Sequence, residues 1–253
     1  MRDEIIAKNK WEFDAEVTNC FEDMLERSIP YYALMRKSII DVASFKIDSI
    51  LSRYDKEILD KNPNGFKPFS VLDIGCSDGL QIESFINKYG DLGKYLGIDI
   101  SEPMLEKARN RFKKNILNEQ VKIEYMDLRY DFPSGYYDII TSILSIQFTP
   151  IEYRQEILSN IYKSLSTTGV FIMVEKVLGE NSTINNMFVN NYYNLKKENG
   201  YTQEQIDRKK NSLEGVLVPC TNKWNIELLK QAGFKQVDVF WRWMNFVGYV
   251  AIK

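Results

Sequence analysis

The sequence predicts a doubly wound α/β protein built on a mostly parallel sheet of seven strands. Three observations carry this. From Ser70 onward, short apolar runs of strand type alternate with amphipathic helical stretches, as they do where each parallel strand returns through a helix. The first of those runs ends in DIGCSDG, a glycine turn at a strand-to-helix junction. The 253 residues, 44% of them hydrophobic, suffice for one large core with a covering subdomain.

Residues 11 to about 58 come first and are helical in pattern: FDAEVTNCFEDMLERSI, then YYALMRKSIIDVASFKI. They precede the first strand, so they are expected to cover an end or face of the sheet. KNPNGFKP is a turn-rich connection. SVLDIG is strand one, and LQIESFINKYG a helix that stops at Gly90. KYLGIDI is strand two, and SEPMLEKARNRFKK a helix with Ser101 as N-cap and Pro103 in its first turn. VKIEYMD, YYDIITSIL and GVFIMVEK are strands three to five, with the helix IEYRQEILSNIYKSL between the last two. KWNIELLKQAGF is the last helix, ended by Gly233, and VDVFWRW with NFVGYVAIK is a closing strand pair. Residues 180–218 form a helical insertion before that last helix, where lids and dimer surfaces are often built. The expected organisation is one domain, 1–253, with a cover (1–68), a sheet core (69–179 and 219–253) and the insertion (180–218).

Composition narrows the chemistry. A net charge of −2 provides no broad basic field, so direct nucleic-acid binding is not expected. No apolar run has the length of a membrane span or the form of a signal peptide, and the expected location is the cytoplasm. Cys20, Cys76 and Cys220 are far apart and form no C-x-x-C pair, which argues against a disulfide framework or a zinc knuckle. The chain has no histidine. Gly75, Ser77 and Gly79 spell the G-x-S-x-G of a nucleophile elbow, but a serine triad needs an imidazole to move its proton. The hydrolase reading falls, and histidine-ligated metals fall with it.

What remains is a cofactor site at the carboxyl ends of the strands, where the order of a doubly wound sheet reverses. In Asp73–Gly79, the glycines at 75 and 79 permit a close approach to a ligand and the next helix offers its N-terminus. Asp99 ends strand two, where a carboxylate can accept from both hydroxyls of a ribose. Asp127 ends strand three and can accept from an adenine amino group. Together the three positions outline an adenosine. There is no third glycine for a dinucleotide fingerprint and no G-K-[ST] ending for a Walker loop.

The loop resembles the D-x-G-x-G-x-G of class I S-adenosylmethionine-dependent methyltransferases, with Ser77 in place of the middle glycine. FDAEVTNCFEDMLERSIPYY, DIGCSDG, GIDISEPM, SIQFTP, VEKVLGEN, LKKENGYTQEQIDRKKNSLEGVL, LLKQAGF and NFVGYVAIK extend the likeness over nearly the whole chain, and together resemble the carboxy-S-adenosyl-L-methionine synthase family. The resemblance implies a Rossmann-like fold, a homodimer and bound S-adenosyl-L-methionine. It also implies cofactor contacts from Tyr32, Gly75, Cys76 and Ser77, Asp99 with Ile100, and Asp127 with Leu128. In the family reaction prephenate loses carbon dioxide, which is captured at the activated methyl, and an arginine holds the new carboxylate. This chain has Lys210 at that arginine and Ile143 at an asparagine on strand four, both at the carboxylate end of the cofactor site. Lysine is a point charge where arginine is a fork, and isoleucine forms no hydrogen bond.

Those two departures direct the first expectation to methyl transfer onto a small-molecule acceptor. Carboxy-S-adenosyl-L-methionine synthesis from prephenate is the alternative, and non-catalytic binding of S-adenosylmethionine a further one. A base, if the acceptor needs one, must be Asp, Glu, Tyr or Lys, and the sequence singles out none. Tyr192, Tyr193 and Tyr201 are expected to pack. Lys196, Lys197, Arg208 and Lys209 are expected on a solvated helix face beside Glu198 and Glu204, with Lys210 alone assigned to substrate. Phe240, Trp241, Trp243, Phe246 and Tyr249 are expected in the core or a dimer interface.

Overall fold

A computed structural model describes residues 2–4, 10–62 and 65–253. Pro63 and Asn64, the centre of the expected turn KNPNGFKP, lie outside the described residues. Three helices come first: α1 (Ala15–Ser28), α2 (Tyr32–Leu51) and α3 (Lys56–Lys61). The alternating part follows as β1 (Phe69–Ile74), α4 (Leu80–Tyr89), β2 (Gly93–Asp99), α5 (Glu102–Arg111), α6 (Lys113–Leu117), β3 (Val121–Tyr125), β4 (Tyr137–Ile143), α7 (Ile151–Ser164) and β5 (Leu165–Leu178). The insertion holds α8 (Ser182–Glu198) and α9 (Gln203–Ser212). The chain closes with β6 (Cys220–Thr221), α10 (Asn222–Gln231), β7 (Gln236–Trp243) and β8 (Phe246–Ile252).

The sheet runs β3-β2-β1-β4-β5-β8-β7, with the two-residue β6 paired to β5 as an eighth strand that the apolar pattern was too short to reveal. β1 to β5 are parallel, while β8 runs antiparallel to β5 and to β7. The order reverses between β1 and β4, which opens a crevice at their carboxyl ends. Helices bury apolar side chains on both faces. On one, Met35, Ile39 and Ile47 of α2 pack with Ile82 and Phe85 of α4 and Leu105 of α5. On the other, Ile157 and Ile161 of α7 pack with Leu229 of α10 and Phe171 of β5. A smaller cluster of Trp11, Val17, Phe21, Met24 and Met104 joins the chain start and α1 to α5.

Several local expectations meet their physical reasons here. Ser101 caps α5 by accepting from the Met104 N–H at 3.4 Å. The helix expected over 101–114 breaks at Phe112, whose ring packs over Gly79. The closing aromatics divide: Phe246 and Tyr249 are buried, while Trp241 and Trp243 are half-buried.

Candidate functional site

The cofactor loop is fixed by backbone bonds to the end of β2. The N–H groups of Gly75 and Cys76 both donate to the Ile98 carbonyl at 2.9 Å, and the Ser77 N–H donates to Asp99 Oδ2 at 2.9 Å. Asp99 Oδ1 accepts from the Ser101 N–H at 2.9 Å, so one carboxylate ties the loop to the start of α5. Burial raises its proton affinity and those N–H bonds oppose the rise. Ser77 sits in left-handed backbone (φ 50°) as a loop residue. Gly75 and Gly79 are also left-handed, but what forbids a side chain there is protein: a Cβ would meet Ser145 Oγ at 2.0 Å and the Phe112 ring at 2.4 Å.

A cavity of about 810 Å³ opens over this loop, and all the sequence-assigned residues except Gly79 line it: Tyr32, Asp73, Gly75, Cys76, Ser77, Asp99, Ile100, Asp127, Leu128, Ile143 and Lys210. Asp73 is buried, accepts from Thr141 Oγ1 at 2.7 Å and is pushed up to about 7 by desolvation. Burial also pushes the Tyr32 phenol up to about 12 and holds the Cys76 thiol far from ionisation, so Cys76 offers no nucleophile. Asp127 is held in its charged form by Arg129, whose Nε donates to both carboxylate oxygens at 2.9 and 3.0 Å. An adenine amino group would share these oxygens with the guanidinium.

The far half of the cavity corrects one expectation. Lys196 and Lys209 are not on a solvated face: Lys196 is buried and Lys209 half-buried, because α8 and α9 turn these positions toward the cavity and the chain start. Arg208 does behave as expected, pairing with Glu204 at 2.8 Å, and Lys210 is exposed at the cavity rim. A third lysine, Lys176, enters from the end of β5. Its Nζ lies 4.6 Å from the Tyr192 ring centre, and that of Lys196 lies 4.6 Å from the Tyr201 ring centre. Lys209 Nζ rests on the Trp11 indole and 3.2 Å from Met24 Sδ. Among the described residues none of the three makes an ion pair; Asp3 is the acid whose charge reaches Lys196 and Lys209. Desolvation lowers Lys176 and Lys196 to about 8 and holds Lys209 well below the usual lysine range. Tyr192 and Tyr201 are buried packing residues, as expected.

The sequence reading missed Arg36 and Gln81, which line the cofactor half, and the inward lysines. One signal was available for Lys176: it follows Glu175 at the carboxyl end of an apolar strand, where a charged pair is out of pattern.

A glycine loop after β1, a ribose-type carboxylate ending β2 and a sheet reversed at β1 and β4 define a class I S-adenosylmethionine-dependent methyltransferase fold. A methyltransferase domain model matches residues 71–169. A putative O-methyltransferase from Nostoc punctiforme shares the fold at 14% identity and a TM-score of 0.59, over 94% of this chain and 59% of its own. The carboxy-S-adenosyl-L-methionine synthase of Methylococcus capsulatus is 35% identical over 100% of this chain and 99% of its own, and that of Nautilia profundicola 35% over 100% of both. The chain belongs to the carboxy-S-adenosyl-L-methionine synthase family. It is a transferase that uses S-adenosyl-L-methionine, and its residues fit that cofactor: Asp99 presents a fixed carboxylate to the cavity, and the buried amide of Gln81 lacks a partner.

Proposed function

We propose that this chain synthesises carboxy-S-adenosyl-L-methionine, using prephenate as the source of the carboxyl group. The observation that carries the reading is the far half of the cavity, where Lys176, Lys196 and Lys209 converge without an ion-pair partner among the described residues. Unpaired buried cations are costly, and an anionic partner repays that cost. S-adenosyl-L-methionine supplies an activated methyl carbon; the lysines provide the charge to seat a carboxylate beside it. The names of the full-length relatives support the same reading. Lys210, at the rim, adds to this positive field without the two-pronged grip of the arginine that the family resemblance implies.

Methyl transfer to a small molecule is the second reading, and Ile143 favours it. This side chain gives the cavity a hydrocarbon surface at the end of β4, where a less polar acceptor would fit. A homodimer belongs to the proposal on the family resemblance and is tested by sedimentation at twice the chain mass. For the reaction, the purified protein is incubated with S-adenosyl-L-methionine with and without prephenate, and the products are weighed by mass spectrometry. A prephenate-dependent species heavier than the cofactor by one carboxyl group supports synthesis. Its absence, with S-adenosylhomocysteine formed when acceptors are supplied, transfers the assignment to methylation.

A further inference from the structure

The path of the cofactor across the strand ends sets the problem. Asp127 follows β3 and Asp99 ends β2, so an adenosine laid across them points its 5′ end toward β1 and β4. The sulfonium and the amino-acid tail must therefore lie over the start of α4. Here the tail's carboxylate needs a donor, and two neighbours offer none. Ile143 is hydrocarbon, and Asp73 is itself an acid.

We propose that Arg36 of α2 and Gln81 of α4 hold the carboxylate of the cofactor's amino-acid tail. Both line the cavity. Arg36 spans from α2 to the first turns of α4, where Nη2 donates to the Leu80 carbonyl and to Ser84 Oγ at 2.5 Å. Those bonds use one nitrogen of a five-donor group, and among the described residues Nε and Nη1 have no protein acceptor. Arg36 also makes no ion pair among the described residues, although its charge is felt at Asp73 and Tyr32. Gln81 is the independent observation. It is only 7% exposed, yet among the described residues both its amide oxygen and its amide nitrogen lack a hydrogen-bond partner. A buried amide with neither end satisfied is expensive unless a ligand completes it. It stands in the first turn of α4, whose free N–H groups favour the same anion. Three donors thus converge at the place where the tail ends, and they compensate for the polar group missing at Ile143.

The inference concerns cofactor binding and is independent of whether the product is carboxylated or methylated. Calorimetry with S-adenosylhomocysteine, its decarboxylated analogue and 5′-methylthioadenosine, which lacks the tail, tests it without turnover. Arg36→Met is expected to weaken S-adenosylhomocysteine by about 10–100-fold, the loss of a charge-assisted contact, and to leave the other two ligands unchanged. Arg36→Lys keeps the charge and should recover part of the loss. Gln81→Leu should weaken the same ligand severalfold while the unliganded protein melts no lower, since it removes an unsatisfied amide. Equal weakening of all three ligands by Arg36→Met, or no weakening of any, overturns the assignment of Arg36. Unchanged S-adenosylhomocysteine affinity in Gln81→Leu overturns that of Gln81.

Discussion

Asp99→Asn probes the proposed ribose contact. Asp99 accepts from the N–H groups of Ser77 and Ser101 at 2.9 Å each, which leaves lone pairs on both oxygens for the ribose hydroxyls. Asparagine keeps one acceptor oxygen and places an amide nitrogen at the other position, where it opposes a loop N–H, so the variant gives up one loop hydrogen bond together with the charge presented to the ribose. One charge-assisted hydrogen bond to the ligand is then lost, about 1.5–3 kcal/mol, or roughly 10–150-fold in affinity. Isothermal titration with S-adenosylhomocysteine reads this directly, with thermal melting of the free protein as a check that the loop still holds. Burial raises the proton affinity of Asp99, so wild-type affinity should fall as pH is lowered, at a higher pH than for an exposed carboxylate. The variant should show no such fall. A variant affinity within about threefold of wild type, with the same pH dependence, would refute the placement of the ribose at Asp99.

Three other outcomes follow from the same geometry. Lys176→Met should leave S-adenosylhomocysteine binding intact and raise KM for an anionic co-substrate on the order of 10-fold or more, the loss of one buried charge contact; in the wild type that KM should rise above about pH 8, where Lys176 loses its proton. Steady-state kinetics across pH check both. Glu175, buried with Oε1 unpartnered, is pushed up to about 8 from an ordinary 4.5. The folded form therefore binds this proton more tightly than the unfolded one, and stability is lost as pH rises from about 4.5 to about 8. Glu175→Gln should remove that loss, so its melting temperature relative to wild type should improve between pH 5 and pH 9; an equal offset at both would count against it. Gly79→Ala combines left-handed backbone with a Cβ 2.4 Å from the Phe112 ring, and should cost on the order of 2–4 kcal/mol, read as a melting-point drop of about 5–15 °C.

The sheet and the strand-end residues of the candidate site were legible because both are written in short-range patterns. A parallel strand is a local apolar run, and the residue that ends it points into the crevice whatever the rest of the chain does. Asp73, Asp99 and Asp127 could be placed by counting to the end of a run. The lysines could not. Lys196 and Lys209 lie on polar helices where sequence periodicity does not separate the inward face from the outward one, and only contact with Trp11, Met24 and Tyr201 turns them inward. Arg36 was hidden in the same way: a charge within the apolar α2 pattern becomes meaningful only once α2 is seen beside the first turns of α4. The strand β6 escaped because two residues carry no period at all.

The two halves differ in charge as well as in legibility. Asp73 and Asp99 stand at the carboxyl ends of β1 and β2, while Lys176, Lys196 and Lys209 stand across the cavity from the ends of β5, α8 and α9. A sulfonium cation is favoured near the first set and an anion near the second, and the low dielectric of a partly enclosed cavity strengthens both preferences. In the proposed reaction this field would arrange a cationic one-carbon donor against an anionic partner before any specific hydrogen bond forms. On the proposed reading it also relaxes the demand on Lys210. On that reading Lys176 and Lys196 already supply charge, so the rim residue need not grip a carboxylate with a fork, and replacing it should matter less than replacing Lys176. Comparing Lys210→Met with Lys176→Met in the same kinetic assay tests this ordering, and a larger KM effect at Lys210 would reverse it.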